Sequence, residues 1–343
     1  CIFQFLEFKD VIQLRVICKL FNDMFKLWTK YNNIILKESI PDKKLILFRG
    51  YKHIDLSGCE NITSTSNGIK YLLMNNKILQ SINMAGCDIS DECLNSIHRI
   101  DGIPVINDIT LSRCDKITSN GLKYLKGVNS IDISYCDEIT DDDLEYLSGA
   151  KIIHLDNCKI TGKGFKHLQN IHYISLNECT NLTDEGLQLI NKSKKIHKID
   201  ISMCPQISSN GFKYLKNRVD IIDLSLSSSI IDDDLQYFQT VNTIYLRQCE
   251  NITSDGLVYL QSVNTINLSG CKNITDGGLL YLQRATDINL SCCDKITDEG
   301  LRYLKNSKIL NISFCTNITN EGLKYLNKDI KIQHHGCPKI IKY

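Results

Sequence analysis

Cys249, Cys271, Cys293, Cys315 and Cys337 stand 22 residues apart. A chain that repeats on so short a beat folds by stacking its repeats, because no single copy holds enough apolar residues for a core of its own. The copy from Val263 to Leu282 shows the phrase most cleanly, with apolar residues at Val263, Ile266, Leu268, Ile274, Leu279 and Leu282 around Cys271. Earlier copies place Cys59, Cys87, Cys114, Cys136, Cys158, Cys179 and Cys204 at the same point, with Ser227 as the one substitute. Spacing there varies between 21 and 28 residues, which predicts small insertions in the N-terminal repeats.

Within a copy, Ile266 and Leu268 are two apart and fall on one side of a short strand, and Ile274, Leu279 and Leu282 return from the other half to meet them. Stacking gives each apolar side chain a neighbour above and below, a gain of roughly 1.5–3 kcal/mol per fully buried Ile or Leu. Thr275 followed by Asp276 supplies an N-cap and a first-turn acid for a helix, as do Thr140-Asp141, Thr183-Asp184 and Thr297-Asp298. Each repeat therefore reads as strand, turn, helix. The pattern matches L-x-x-L-x-L-x-x-C-x-L and resembles the cysteine-containing leucine-rich repeats. The expected fold is an α/β leucine-rich-repeat solenoid of about thirteen copies, a ribonuclease-inhibitor-like horseshoe. Strands about 4.8 Å apart would line its concave wall, with bulkier helices outside.

Composition narrows the function. A formal net charge of +1 gives no basic field for nucleic acid. No apolar run is long enough to cross a membrane, and the start does not read as a signal peptide. Richness in Ile, Lys and Asn, with alanine only at positions 85, 150 and 285, suggests an AT-rich genome such as that of an amoeba or a giant virus. The expected compartment is the cytoplasm or nucleus, or the host cytoplasm if the source is viral.

Sixteen cysteines would mark a disulfide framework in a small secreted protein, but twelve of them occupy one repeat position in a long chain. They are expected as a ladder of small buried thiols. The sequons at Asn61, Asn181, Asn251, Asn273 and Asn317 are read in the same way, with Asn filling a turn, Ile or Leu the core and Thr the helix cap.

Residues 1–28 do not follow the repeat. Asp10 can cap a helix whose Val11, Leu14 and Cys18 share a face. Ile2, Phe3, Leu6, Asp10, Leu14, the core Val16-Ile17-Cys18-Lys19, and the closing Leu27-Trp28 resemble the C-terminal two-thirds of an F-box. An F-box followed by cysteine-containing repeats with Thr-Asp-x-Gly-Leu is similar to the F-box/leucine-rich-repeat family. That resemblance implies a partial F-box and linker over 1–40 and repeats over 41–343. It implies an adaptor-binding set of Ile2, Phe3, Leu6, Val11, Leu14, Val16, Cys18 and Phe21. It also implies partners: a Skp-family adaptor, through it a cullin, and a protein substrate to be ubiquitinated. Because the F-box opening of Leu-Pro and a longer first helix is missing before Cys1, the sequence reads as part of a longer product. The competing expectation is a scaffold of the same fold outside any ligase. An enzyme would need a catalytic domain ahead of Cys1.

Chemistry is sparse. His334, His335 and Cys337 lack a second ligand pair at zinc-finger spacing. The runs Asp141 to Asp143 and Asp232 to Asp234 fall at helix starts, where acids complement the dipole. Asp294 to Gly300 is broken as a calcium loop by Ile296. No cofactor and no metal are expected, and neither is catalysis. A column of tyrosines, Tyr124, Tyr146, Tyr214, Tyr237, Tyr259, Tyr281, Tyr303 and Tyr325, reads as inter-repeat packing on the helical side.

Recognition is expected on the strand side, where most copies put Ser (57, 112, 134, 202, 225, 269, 291 and 313) at a solvent-facing position that Asp156, Asn177 and Arg247 interrupt. The candidate target-binding set is Arg113, Tyr135, His154, Asp156, Asn157, Glu178, Met203, Leu226, Tyr245, Arg247, Gln248 and Phe314, because exposed aromatic, Met and Arg side chains dominate interface energetics.

Overall fold

The computed structural model describes residues 33–36, 42–48, 50–59, 61–63, 65, 67–97, 99–100, 103–104, 106–190 and 196–341. The described residues belong to two compact units, Cys1–Glu138 and Ile139–Tyr343. In the first, β1 (Asn33–Ile35), β2 (His53–Asp55), β3 (Ser81–Asn83), the hairpin β4 (Arg99–Ile100) with β5 (Ile103–Pro104), β6 (Asp108–Thr110) and β7 (Ser130–Asp132) follow in chain order. All but the antiparallel hairpin pair in parallel. The second unit continues with β8 (Ile152–His154), β9 (Tyr173–Ser175), β10 (Ile196–Asp200), β11 (Val219–Asp223), β12 (Thr243–Tyr245), β13 (Thr265–Asn267), β14 (Asp287–Asn289), β15 (Ile309–Asn311) and β16 (Lys331–Gln333), each parallel to the next. Register keeps like residues adjacent, as in Ile244, Ile266, Ile288 and Leu310. This is the leucine-rich-repeat fold. Two long spacings are explained: the nine-residue helix Asn67–Asn75 falls between Cys59 and Cys87, and the β4–β5 hairpin between Cys87 and Cys114.

The helical halves are thinner than the expected full helices. Four α-helical residues commonly pass straight into a 3₁₀ turn, as in Asp298–Leu301 followed by Arg302–Leu304. Only about two turns fit between a Thr cap and the following strand, and the tighter 3₁₀ winding spans that distance with fewer residues.

Three repeating hydrogen bonds tie copy to copy. Each is invisible within one copy. The ladder thiols are buried, and most donate to the carbonyl of the apolar residue that closes the preceding strand: Cys179 to Leu155 at 3.0 Å, Cys249 to Leu224 at 3.2 Å, Cys271 to Leu246 at 2.9 Å and Cys315 to Leu290 at 3.1 Å. Burial pushes the thiols of Cys87, Cys114, Cys179, Cys204, Cys249 and Cys315 up to about 12. Cysteine thus acts as a small apolar filler that still satisfies an acceptor.

The second tie is the Asp of Thr-Asp-x-Gly-Leu. Asp298 accepts both the backbone N–H and the hydroxyl of Thr319, each at 2.7 Å. Asp276 holds Thr297 in the same way at 2.8 and 2.6 Å, Asp232 holds Thr253, Asp184 holds Ser208, and Asp141 holds Thr161. The Gly of the motif has its reason here. A Cβ on Gly300 would press on the Asp276 carboxylate and on Leu279. The third tie is the sequon Asn: Asn251, Asn273 and Asn317 donate their amides to carbonyls of the preceding copy at 2.7, 2.9 and 2.7 Å. The Asn nitrogen that a glycan would need is engaged in the stack.

Residues 1–28, with the whole adaptor-binding set, lie outside the described residues. Among the described residues no helix is long and apolar enough to cross a membrane.

Candidate functional site

The strand side is built from two short steps per copy. At the strand end an Asp or Asn accepts the N–H two residues on, as Asp200 does from Ser202 and Asn267 from Ser269, closing an Asx turn at 2.9–3.0 Å. That turn draws the Ser column inward. Ser134, Ser202, Ser225 and Ser313 are buried and Ser112, Ser269 and Ser291 half-buried, a correction to the expectation that this column faces solvent, which Ser57 alone meets.

The next residue, immediately before the ladder cysteine, is left-handed in all thirteen copies. Four are Gly (58, 86, 270 and 336), and nine are Arg113, Tyr135, Asn157, Glu178, Met203, Leu226, Gln248, Cys292 and Phe314, with φ between 53° and 63°. The geometry serves the stack: the N–H of this residue reaches the carbonyl of the next copy, as Leu226 does to Arg247 at 2.7 Å and Phe314 to His335 at 2.7 Å. A side chain there is held at a backbone penalty of about 1–2 kcal/mol relative to an ordinary region, and the four Gly copies show that none is required. Among the nine, Met203 and Leu226 are each 40% exposed and Phe314 is 55% exposed.

Candidate residues from the sequence fall into three groups. Arg113, Asn157, Met203, Leu226, Arg247, Gln248 and Phe314 are exposed. Tyr135, His154, Glu178 and Tyr245 are half-buried with local partners for three of them. The Arg113 guanidinium covers the Tyr135 ring at 4.4 Å, His154 meets Tyr173 edge-on at 4.9 Å, and Asn157 donates to Glu178 at 3.0 Å. Asp156 stands apart. It accepts the Ser175 hydroxyl at 2.6 Å and the Asn177 N–H at 2.9 Å, and Asn177 in turn donates to Ser202, which donates to Asp200. It is a member of a half-buried polar network rather than a free recognition group.

That network gathers negative charge. Burial, with the Asp200 carboxylate nearby, raises the Asp156 carboxyl above the usual carboxylate range. Burial first and the same Asp200 charge raise Asp223 too. Opposite stands Lys198, whose ammonium lies 4.7 Å over the Tyr173 ring. Sequence reading missed Asp200, Asp223, Tyr173 and Lys198. Their signal was available, since each occupies an outward strand position flanking a buried Ile of its strand, but Asp at the strand end is so regular a feature of the repeat that it reads as turn chemistry.

Asn157, Glu178, Met203, Pro205, Leu226 and Ser228 line an open groove of about 390 Å³ beside these strands. On the far side of Leu226, Gln248 lies across Gly270, where a Cβ would meet its side chain. Phe314 lies across Gly336 in the same manner. On the helical side the tyrosines are mostly half-buried, and three carry a cation: Lys123 over Tyr124, Lys213 over Tyr214, and Arg302 over Tyr325. Among the described residues no group of three or more His, Cys, Asp or Glu is arranged to hold a metal ion.

A family model described as Leucine Rich repeat matches residues 259–282, 286–305 and 308–326. No curated protein sequence matches the chain. Among solved structures, the yeast complex of Rad7 and Elc1 is similar over 91% of this chain and 86% of that one, at 18% identity and a TM-score of 0.61. The Drosophila Toll–Spatzle complex matches 88% of this chain at 13% identity and a TM-score of 0.54, the match covering 41% of that chain. The TLR13–ssRNA13 complex matches 91% at 13% identity and a TM-score of 0.51, covering 60% of that chain. These likenesses are likenesses of fold: the described chain is a stack of leucine-rich repeats.

Proposed function

We propose that this protein is a non-enzymatic substrate receptor of an SCF-type ubiquitin ligase. The F-box-like residues 1–28 hold a Skp-family adaptor and through it a cullin, and the strand side of the repeats holds the protein to be modified. The observation that carries the recognition half is the left-handed column: nine non-glycine side chains are kept where glycine is sufficient for the fold. The N–H bond to the next copy fixes this backbone, so the side chain is what remains open to choice, and Met203, Leu226 and Phe314 are large and exposed where glycine serves elsewhere. The ligase half rests on the F-box resemblance, and it agrees with a fold shared with Rad7, which is seen in complex with a second protein, Elc1. The mechanism is proximity. A receptor that holds target and ligase together raises their effective concentration and contributes no catalytic group.

Replacing Leu14 and Val16 with Asp in the full-length product puts charge into an apolar contact. It abolishes capture of a Skp-family adaptor and leaves the circular dichroism spectrum of the repeats unchanged. If adaptor capture survives both changes, Leu14 and Val16 do not hold the adaptor and the ligase reading loses its main support.

A further inference from the structure

The strand side of the second unit is not uniform. Over the four copies spanned by β8 to β11, the strand-end positions carry Asp200 and Asp223 and the left-handed column carries Glu178, with the partnered Asp156 beside them, against Lys198 as the one Lys or Arg at these positions. Met203 and Leu226, three residues beyond Asp200 and Asp223, are the large aliphatic side chains of the left-handed column, and both line the open groove with Pro205 and Ser228. The ladder is also interrupted at this place. Ser227 stands where a cysteine would, and its hydroxyl lies 3.3 Å from Ser229.

From this juxtaposition we propose that the groove lined by Met203 and Leu226 takes an extended segment of a protein partner, one large apolar side chain flanked by lysine or arginine. The inference rests on the target-recognition reading above and names the chemistry of the target. Charge complementarity selects the occupant. The carboxylates of Glu178, Asp200 and Asp223 beside the groove repel nucleic acid and anionic lipid surfaces and attract basic side chains. Size selects the mode. About 390 Å³ lies near the low end of small-molecule sites, and an open trough beside parallel strands admits a single side chain with backbone on either side. Exposed apolar groups ringed by charge match the core and rim of protein interfaces. Two features mark the patch: large, exposed aliphatic side chains at left-handed positions where glycine serves in four other copies, and carboxylates half-withdrawn from water next to one another.

The test uses an array of synthetic twelve-residue peptides with a central Leu or Phe flanked by Lys and Arg, by Asp and Glu, or by Ser, probed with the intact chain. Binding is then measured in solution by fluorescence anisotropy. Basic-flanked apolar peptides are expected to bind best, with affinity falling as salt rises. Met203→Gly with Leu226→Gly suits the left-handed backbone, so the variant keeps its melting temperature within a few degrees while losing at least tenfold in affinity. Asp200→Asn with Asp223→Asn keeps the turn acceptors and removes most of the salt dependence. Equal binding of acidic-flanked peptides, absence of binding by any peptide, or full affinity in the glycine variant overturns the proposal. Adaptor capture is measured on the same variants. Absence of capture by the unmodified full-length product refutes the ligase reading and leaves the peptide result standing, so the two failures are told apart.

Discussion

At the scale of the residue, the chain uses the same side chain for more than one purpose, and Asp223 shows where the purposes conflict. Its carboxylate accepts the Ser225 N–H at 2.9 Å, the same bond that Asn289 and Asn311 make to Ser291 and Ser313 at 3.0 Å. The fold asks only for the oxygen. The charge is unfavourable here, because burial and the Asp200 carboxylate raise the folded-state value. A raised value means that the favourable protonated form stabilises the fold below the ordinary carboxylate range, and that this contribution is lost as pH rises through the folded value. Asp223→Asn is therefore expected to raise stability, and with it Tm, at pH 7. Thermal melts at pH 7 and pH 3 check the sign, because the advantage over the parent should vanish at pH 3. A variant no more stable than the parent at pH 7 means that the carboxylate is not strained in the fold.

At the scale of the element, the unit of stability is the joint between copies rather than the helix or strand alone. The helices are too short to persist by themselves, and a strand of three residues has no independent existence. Asp298 supplies two charge-assisted acceptors to Thr319. Its replacement by Ala leaves a backbone N–H at a helix start without its partner, and about 2 kcal/mol is expected to be lost. Asp298→Asn retains one good acceptor and should lose about half as much. Chemical denaturation of the two variants checks the order, and an Ala variant as stable as Asn removes the Asp–Thr tie from the account. This joint also marks what was legible beforehand. Apolar spacing, the ladder position and the Thr caps announce themselves because their partners lie within one period. The Asp–Thr tie spans 21 residues, from one copy to the next, so Asp298 reads as a dipole-complementing acid of its own helix. The left-handed column was hidden for a different reason. Positive φ is normally signalled by Gly or Asn, and here Tyr135, Met203, Leu226 and Phe314 carry it because the N–H bond to the next copy fixes the backbone whatever the side chain. Eight of the twelve residues chosen from the sequence as a recognition set share one backbone conformation, while Asp156 is partnered.

At the scale of the whole molecule, repetition makes small shifts add. A thiol whose folded value lies above its unfolded one stabilises the fold fully below the unfolded value near 9, and that contribution is lost as pH rises towards the folded value. Cys179 and Cys249, both fully buried, are pushed up to about 12 by burial. Within that window each thiol lowers stability by about 1.4 kcal/mol per pH unit at most, because the unfolded chain ionises and the folded one does not. Most of the ladder repeats the effect, so stability should fall more steeply between pH 9 and 11 than tyrosine and lysine ionisation alone produce. In a linear stack each copy contacts only its neighbours, so the loss is spread along the chain instead of being concentrated at one site. Cys179→Ala with Cys249→Ala is expected to start less stable at pH 7.5, since each change removes a buried hydrogen-bond donor and its sulfur packing. The same variant should lose less on moving to pH 10.5. Urea midpoints of parent and variant at the two pH values provide the measurement. Parallel losses in both proteins mean that the buried thiols ionise as readily folded as unfolded, which would contradict a ladder sealed from water.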